Sequence, residues 1–255
     1  MRQSESGSSN ADTLTAYRPS ADSPSASLRA AYVPKRALTD TDPATTSSTT
    51  GPSLDVVRHP ETGKNIDRRV RSQSDDPLTE HGMAEAKQMA KSFKSNPPDV
   101  VVASDMQRAR IPAEMIGKST GAKVIIDPAF RSWHLGKFVG MESKKVDPQI
   151  ARYVEDSSKP VEGGGESFDQ FKSRVFAGLD KVLRQYPREK VVLISHHRVE
   201  RLLASWIKAG QRPDLSVDPT EMAKSGAEPG EVVSYTRDAG KGSARAPLKS
   251  AAVRK

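Results

Sequence analysis

Two short stretches hold the residues best suited to chemistry. The first is Arg58-His59, at the end of the apolar run 54–57 and just ahead of Pro60 and Gly63, which break regular structure. The second is Ser195-His196-His197-Arg198, which closes another apolar run, 191–194. A guanidinium presents a planar fork that matches phosphate oxygens, and an imidazole can attack phosphorus or move protons near neutral pH. An isolated Arg-His pair is more often a surface ion pair beside a satisfied loop histidine. Here Ser104-Asp105 with Arg108, and a loop from Ser132 to Gly140, also follow apolar runs. Two histidines and two arginines, Arg58, His59, Arg108 and His196, suit phosphoryl transfer, whose transition state spreads negative charge over three equatorial oxygens.

Rival chemistries fit less well. Metal-binding spacings such as H-E-x-x-H are missing, and paired arginines repel a cation. The run Gly163-Gly164-Gly165 lacks the Lys-Ser/Thr pair of a nucleotide-binding loop and reads as a turn. No cofactor is expected.

The elements that must position these residues follow from periodicity. Apolar runs at 54–57, 99–103, 124–126 and 191–194 have strand length, and 231–235 reads as a closing strand. Thr79 caps a helix carrying Met83, Ala86, Ala90 and Phe93, which stops before Asn96-Pro97-Pro98. Further helices are expected over about 108–119 and 147–155. Another carries the stripe Phe168, Phe171, Val175, Leu179, Val182, Tyr186, and the last carries Val199, Leu202, Leu203, Trp206, Ile207. Strands alternating with helices imply an α/β fold with a mostly parallel central sheet covered on both faces. Right-handed crossovers then bring the strand ends to one rim. The loop 60–78 carries Arg68, Arg69 and Arg71, read by default as solvated surface arginines, with steering of anions into the crevice as the alternative.

Composition sets the boundaries. Residues 1–53 are rich in Ser, Thr, Ala, Pro and Asp without apolar periodicity, and are expected to be a disordered arm. Residues 238–255 carry five Lys/Arg against one Asp and are expected to be a basic flexible tail. The folded part is expected over 54–237. Of the net charge of +8, the tail holds half and the arm none, so the folded part keeps a modest cationic excess suited to anionic ligands. The sequence has no cysteine, which excludes disulfides and thiolate chemistry. With no apolar segment of membrane-spanning length, the expectation is a cytoplasmic protein. Expected partners are a small phosphorylated molecule or a phosphoprotein, with nucleic acid reached only through the basic tail.

Four segments in order resemble the histidine phosphatase superfamily, which includes phosphoglycerate mutase and broad-specificity phosphatases. They are R-H-P-E-T-G-K-N at 58–65, S-D-M-Q-R-A at 104–109, Gly165-Glu166-Ser167 ahead of the long helix, and the strand ending in Ser195-His196. The resemblance implies the family's three-layer α/β/α sandwich and a phosphorylated nucleophile at His59. It also implies a phosphate pocket of Arg58, Arg108 and His196, with Asn65, Glu166 and Ser132 on the substrate side. The sequence departs from the family pattern at Pro60, where Gly is usual, and at His197, where a small residue is usual. Ser132 stands where a general-acid Glu is expected, and a serine hydroxyl is no acid near neutral pH. His134, His197 and Glu142 are the nearest substitutes. The resemblance thus implies a phosphomonoester hydrolase that is slow or uses an unusual acid. The competing expectations are a phosphate-binding or scaffold module and a phosphomutase.

Overall fold

The computed structural model describes residues 53–212, 214–222, 227–237 and 248–254. In chain order the elements are β1 (Ser53–Arg58), α1 (Gly63–Ile66), α2 (Glu80–Ser92), β2 (Val100–Ala103), α3 (Gln107–Thr120), β3 (Lys123–Ile126), α4 (Ser143–Glu155), α5 (Phe168–Gln185), β4 (Lys190–Ser195), α6 (His197–Lys208), α7 (Pro219–Met222), β5 (Val232–Arg237) and β6 (Leu248–Arg254). They form one six-stranded sheet of order β3-β2-β4-β1-β5-β6. The first four strands are parallel; β5 and β6 add antiparallel at one edge.

The near-continuous apolar runs are explained by burial on both faces. Side chains alternate along each strand, so Leu54, Val56, Val100, Val102, Val191 and Leu193 join the core beneath α4, α5 and α6. Val57, Val101, Ala103, Val192 and Ile194 pack on the opposite face against Met89 and Phe93 of the α2 region and Ala113 and Ile116 of α3. The architecture is the expected α/β/α sandwich. The predicted stripe of α5 is buried throughout, and Thr79 caps α2 by accepting the Gly82 N–H.

The C-terminal edge differs from the sequence reading. Residues 248–254, assigned to a flexible tail, pair with β5, and Leu248 is buried. An edge strand draws its stability from backbone hydrogen bonds, so its sequence needs little apolar character. Ser53, assigned to the arm, opens β1. The remainder of the arm, and 238–247 of the tail, lie outside the described residues. Helix α4 begins four residues earlier than the spacing suggested.

Candidate active site

Three neighbouring strand ends supply the floor of a cleft. Strands β2, β4 and β1 lie side by side, roughly 4.8 Å apart. The His59 N–H donates to the Ser195 carbonyl at 3.0 Å, and the Ser104 N–H to the Ile194 carbonyl at 3.4 Å. Residues 59, 104 and 196 are thereby delivered together. The imidazoles of His59 and His196 lie 5.3 Å apart between ring centres. The loop after His59 is pressed down by α2: a Cβ on Gly82 would sit 2.1 Å from the Glu61 carbonyl oxygen, so only glycine permits this approach.

His59 is fully buried, with Nδ1 2.7 Å from the Pro60 carbonyl oxygen. A carbonyl only accepts, so Nδ1 carries the proton and Nε2 keeps its lone pair. Burial, then the neighbouring His196, Arg71 and Arg108, hold the His59 pKa well below 6.5. His196 Nε2 meets the Ser104 hydroxyl at 2.8 Å. Burial, then Arg108 and Arg71, hold its pKa well down too. Both rings are neutral at physiological pH.

The two expected arginines are partly committed to backbone. Arg108, in the first turn of α3, donates to the Ser72 and Ser74 carbonyls at 2.9 Å each. Burial pulls its pKa down to about 10. Arg58 donates to the Ala227 carbonyl at 2.6 Å. Burial lowers its pKa, against the opposing pull of Glu228, Glu200 and Glu231. Among the described residues, six buried side-chain polar atoms have no hydrogen-bond partner in the protein. Four of them are Arg58 Nε, His59 Nε2, Arg108 Nε and His196 Nδ1. Such atoms are costly to bury, and their concentration in one place marks a ligand site.

These four residues line a cleft of about 1030 Å³, together with Asn65, Ser132, Glu142 and His197. Asn65 Oδ1 accepts from the Thr62 N–H and hydroxyl, so this residue also caps α1. Glu142 sits at the rim, 45% exposed and 2.7 Å from Lys145, which holds its carboxyl below the usual range. The His197 pKa is pushed well down by burial and then by Arg198 and Arg58. Glu166 and His134 are not among the lining residues. The Glu166 carboxylate instead takes both Nε and a terminal nitrogen of Arg174 at 2.8 Å, the His134 N–H and the Gln73 amide. His134 Nδ1 accepts the Gly136 N–H at 3.4 Å. Both act in tying loops together.

Two residues at the site were not picked out singly by the sequence. Ser104 orients His196, and its place in S-D-M-Q-R-A was the available signal. Arg71 lines the cleft and is mostly shielded, while Arg68 and Arg69 are exposed. Local sequence does not separate the three. The difference is tertiary: Ser72 Oγ donates to the Trp133 carbonyl and accepts the Leu135 N–H, each at 2.8 Å. This turns the chain inward at residue 71.

Residues 54–233 match the model of the histidine phosphatase superfamily, branch 1. The chain belongs to that superfamily. It is an enzyme of the histidine phosphatase type. It is 32% identical over 148 residues to a probable phosphoglycerate mutase, GpmB, of Photorhabdus laumondii, covering 55% of this chain and 67% of the relative. It is 30% identical over 155 residues to a metal-independent phosphoserine phosphatase of Arabidopsis thaliana, covering 58% of this chain and 65% of the relative. Its fold is similar to mycobacterial glucosyl-3-phosphoglycerate phosphatase solved with vanadate (TM-score 0.64, 23% identity, 78% of this chain and 97% of the other). It is also similar to the α-ribazole phosphatase of Shigella flexneri (TM-score 0.61, 19% identity, 78% and 95%).

Proposed function

We propose that this histidine phosphatase is a phosphomonoester hydrolase working through a phosphohistidine on His59. The observation that carries the reading is the set of four orphaned polar atoms on Arg58, His59, Arg108 and His196 in one cleft. With Nδ1 held by Pro60, the lone pair of His59 Nε2 is the nucleophile. Attack forms the N–P bond as the P–O bond to the leaving group breaks. Arg58 and Arg108 neutralise the equatorial oxygens, and His196, oriented by Ser104, donates to one of them. Water then cleaves the N–P bond, releasing phosphate and returning the electron pair to Nε2.

The substrate side belongs to Asn65 and Ser132, which face the same cleft. Of the acid candidates, His197 lines the cleft but is held neutral, and Glu142 is paired with Lys145 at the rim. His134 is outside the lining, as is Glu166. Turnover therefore lacks the roughly 10²–10⁴-fold that a positioned acid supplies. The substrate is a small phosphorylated molecule or a phosphoprotein, met in the cytoplasm. Among the described residues no helix is long and apolar enough to cross a membrane.

The test is turnover of a generic aryl phosphate by wild type and His59→Ala, with acid-labile phosphate sought on the protein. Equal turnover by both sinks the proposal. The position of Ser132 favours a second reading, a phosphate-binding module without turnover. Vanadate binding with no hydrolysis of any phosphoester selects it, and phosphate transfer to an acceptor other than water selects a phosphomutase.

A further inference from the structure

Arg71 lines the cleft, and the catalytic reading leaves it unused. It is half-buried, and among the described residues its guanidinium donates no hydrogen bond and forms no ion pair. It is close enough to His59, His196 and His197 to depress all three, and it faces repulsion from Arg58, Arg108 and Arg198, relieved only by Asp76. Its own pKa is pulled to about 9 by burial first and these neighbours next. A guanidinium fork left free among other cations is a costly arrangement, and an anion removes the cost.

The position of Arg71 says which anion. The segment it opens is stitched to the loop bearing Ser132. Ser72 Oγ bridges the Trp133 carbonyl and the Leu135 N–H, and Gln73 Nε2 donates to the Ser132 carbonyl at 3.0 Å. The segment that Arg71 opens is thus tied to the loop carrying Ser132, where the resemblance implies a proton donor for the departing oxygen, and both residues line the cleft. Arg58 and Arg108 already supply charge for the phosphoryl oxygens.

We infer that Arg71 takes the negative charge of the departing oxygen in place of a proton donor, and that the substrates are phosphates whose leaving group is a stable anion: aryl phosphates, acyl phosphates or phosphoanhydrides. This rests on the phosphohistidine reading above. The P–O bond breaks with its electron pair remaining on oxygen, the oxyanion leaves against the guanidinium, and it collects a proton only from bulk water. Arg71 loses no proton, since guanidinium stays charged in proteins. An alkoxide, far more basic, is a poor leaving group under this arrangement.

The experiment measures kcat and KM for a series of aryl phosphates of graded leaving-group acidity, an alkyl phosphate and inorganic pyrophosphate. It uses wild type, Arg71→Gln, Arg71→Lys and His59→Ala, with the Tm of each variant taken alongside. Wild type should slow steeply as the leaving group becomes more basic, with the alkyl phosphate at least about 10²-fold behind the aryl esters. Arg71→Gln should lower kcat by an amount that grows along the series, reaching about 10²–10³-fold at its basic end. Arg71→Lys, which keeps the charge, should recover most of it. A uniform loss across the series, no loss, or equal wild-type turnover of alkyl and aryl phosphates overturns the inference. If His59→Ala matches wild type, the phosphohistidine reading itself has failed. If His59→Ala is inactive while Arg71→Gln follows no leaving-group trend, only the inference about Arg71 has failed.

Discussion

The floor of the cleft and the loop wall at 128–142 place their polar groups by different means. On the floor, Arg58, His59, Ser104 and His196 sit on backbone that β1, β2 and β4 fix through their ladders. In the wall no ladder runs. It is anchored by Phe130, Trp133, Leu135 and Phe138, all buried, and by Arg174, which donates to the Ala129, Arg131 and Ser132 carbonyls. The floor therefore cannot change a residue without changing the chemistry. The wall is held by its apolar anchors and by ties from Arg174, Ser72 and Gln73 that all reach backbone atoms, so the side chain at 132 is not one of its supports. Under the proposed function, this difference lets the cleft keep a nucleophile at His59 without an acid at position 132.

The sharpest way to break this comparison is on the floor: His59→Ala should cut turnover of an aryl phosphate by about 10⁴-fold or more, because the proposed nucleophile is lost. His196→Ala should follow with a loss of about 10²–10³-fold, as expected for one donor to the phosphoryl oxygens. On the wall, Ser132→Glu combined with Arg71→Gln should raise alkyl phosphate turnover about 10²-fold. Ser132→Glu alone should gain far less, since Arg71 in the same cleft would keep the new carboxyl ionised. Equal gains in the single and double variants would show that Arg71 and position 132 do not share a side.

Two further measurements concern stability. Arg174→Ala should lower stability by about 2–4 kcal/mol, read as a fall in Tm, because three carbonyls and the Glu166 carboxylate each lose a donor. The second measurement concerns pH. His59, His196 and His197 stay unprotonated when folded but titrate near 6.5 when unfolded. Below that value the unfolded chain binds more protons, so stability falls as pH drops from 7 to 5, by at most about 1.4 kcal/mol per pH unit for each residue. Activity on an aryl phosphate should persist into this range, since the nucleophile remains neutral. His59→Ala should flatten the stability slope, and an unchanged slope would mean that His59 titrates normally.

Much of the floor was legible because its parts are local in sequence. A strand followed at once by Arg-His or Ser-His declares both the element and the group at its end. The wall was less so. Glu166 stands in the family's Gly-Glu-Ser segment and was expected on the substrate side, yet its partners, Arg174 and His134, are set by how two loops meet. Arg71 looks like Arg68 and Arg69 until Ser72 is seen bonded to Trp133 and Leu135. The strand β6 was hidden because backbone pairing, not side-chain pattern, recruits it.

That last strand has a practical consequence. Because β6 covers the outer side of β5, shortening the chain at Arg237 to remove what reads as a dispensable basic tail would bare a row of unpaired amides and carbonyls along β5. Such a shortened protein should self-associate through strand-to-strand pairing, and a purification tag is better placed at the N-terminal end.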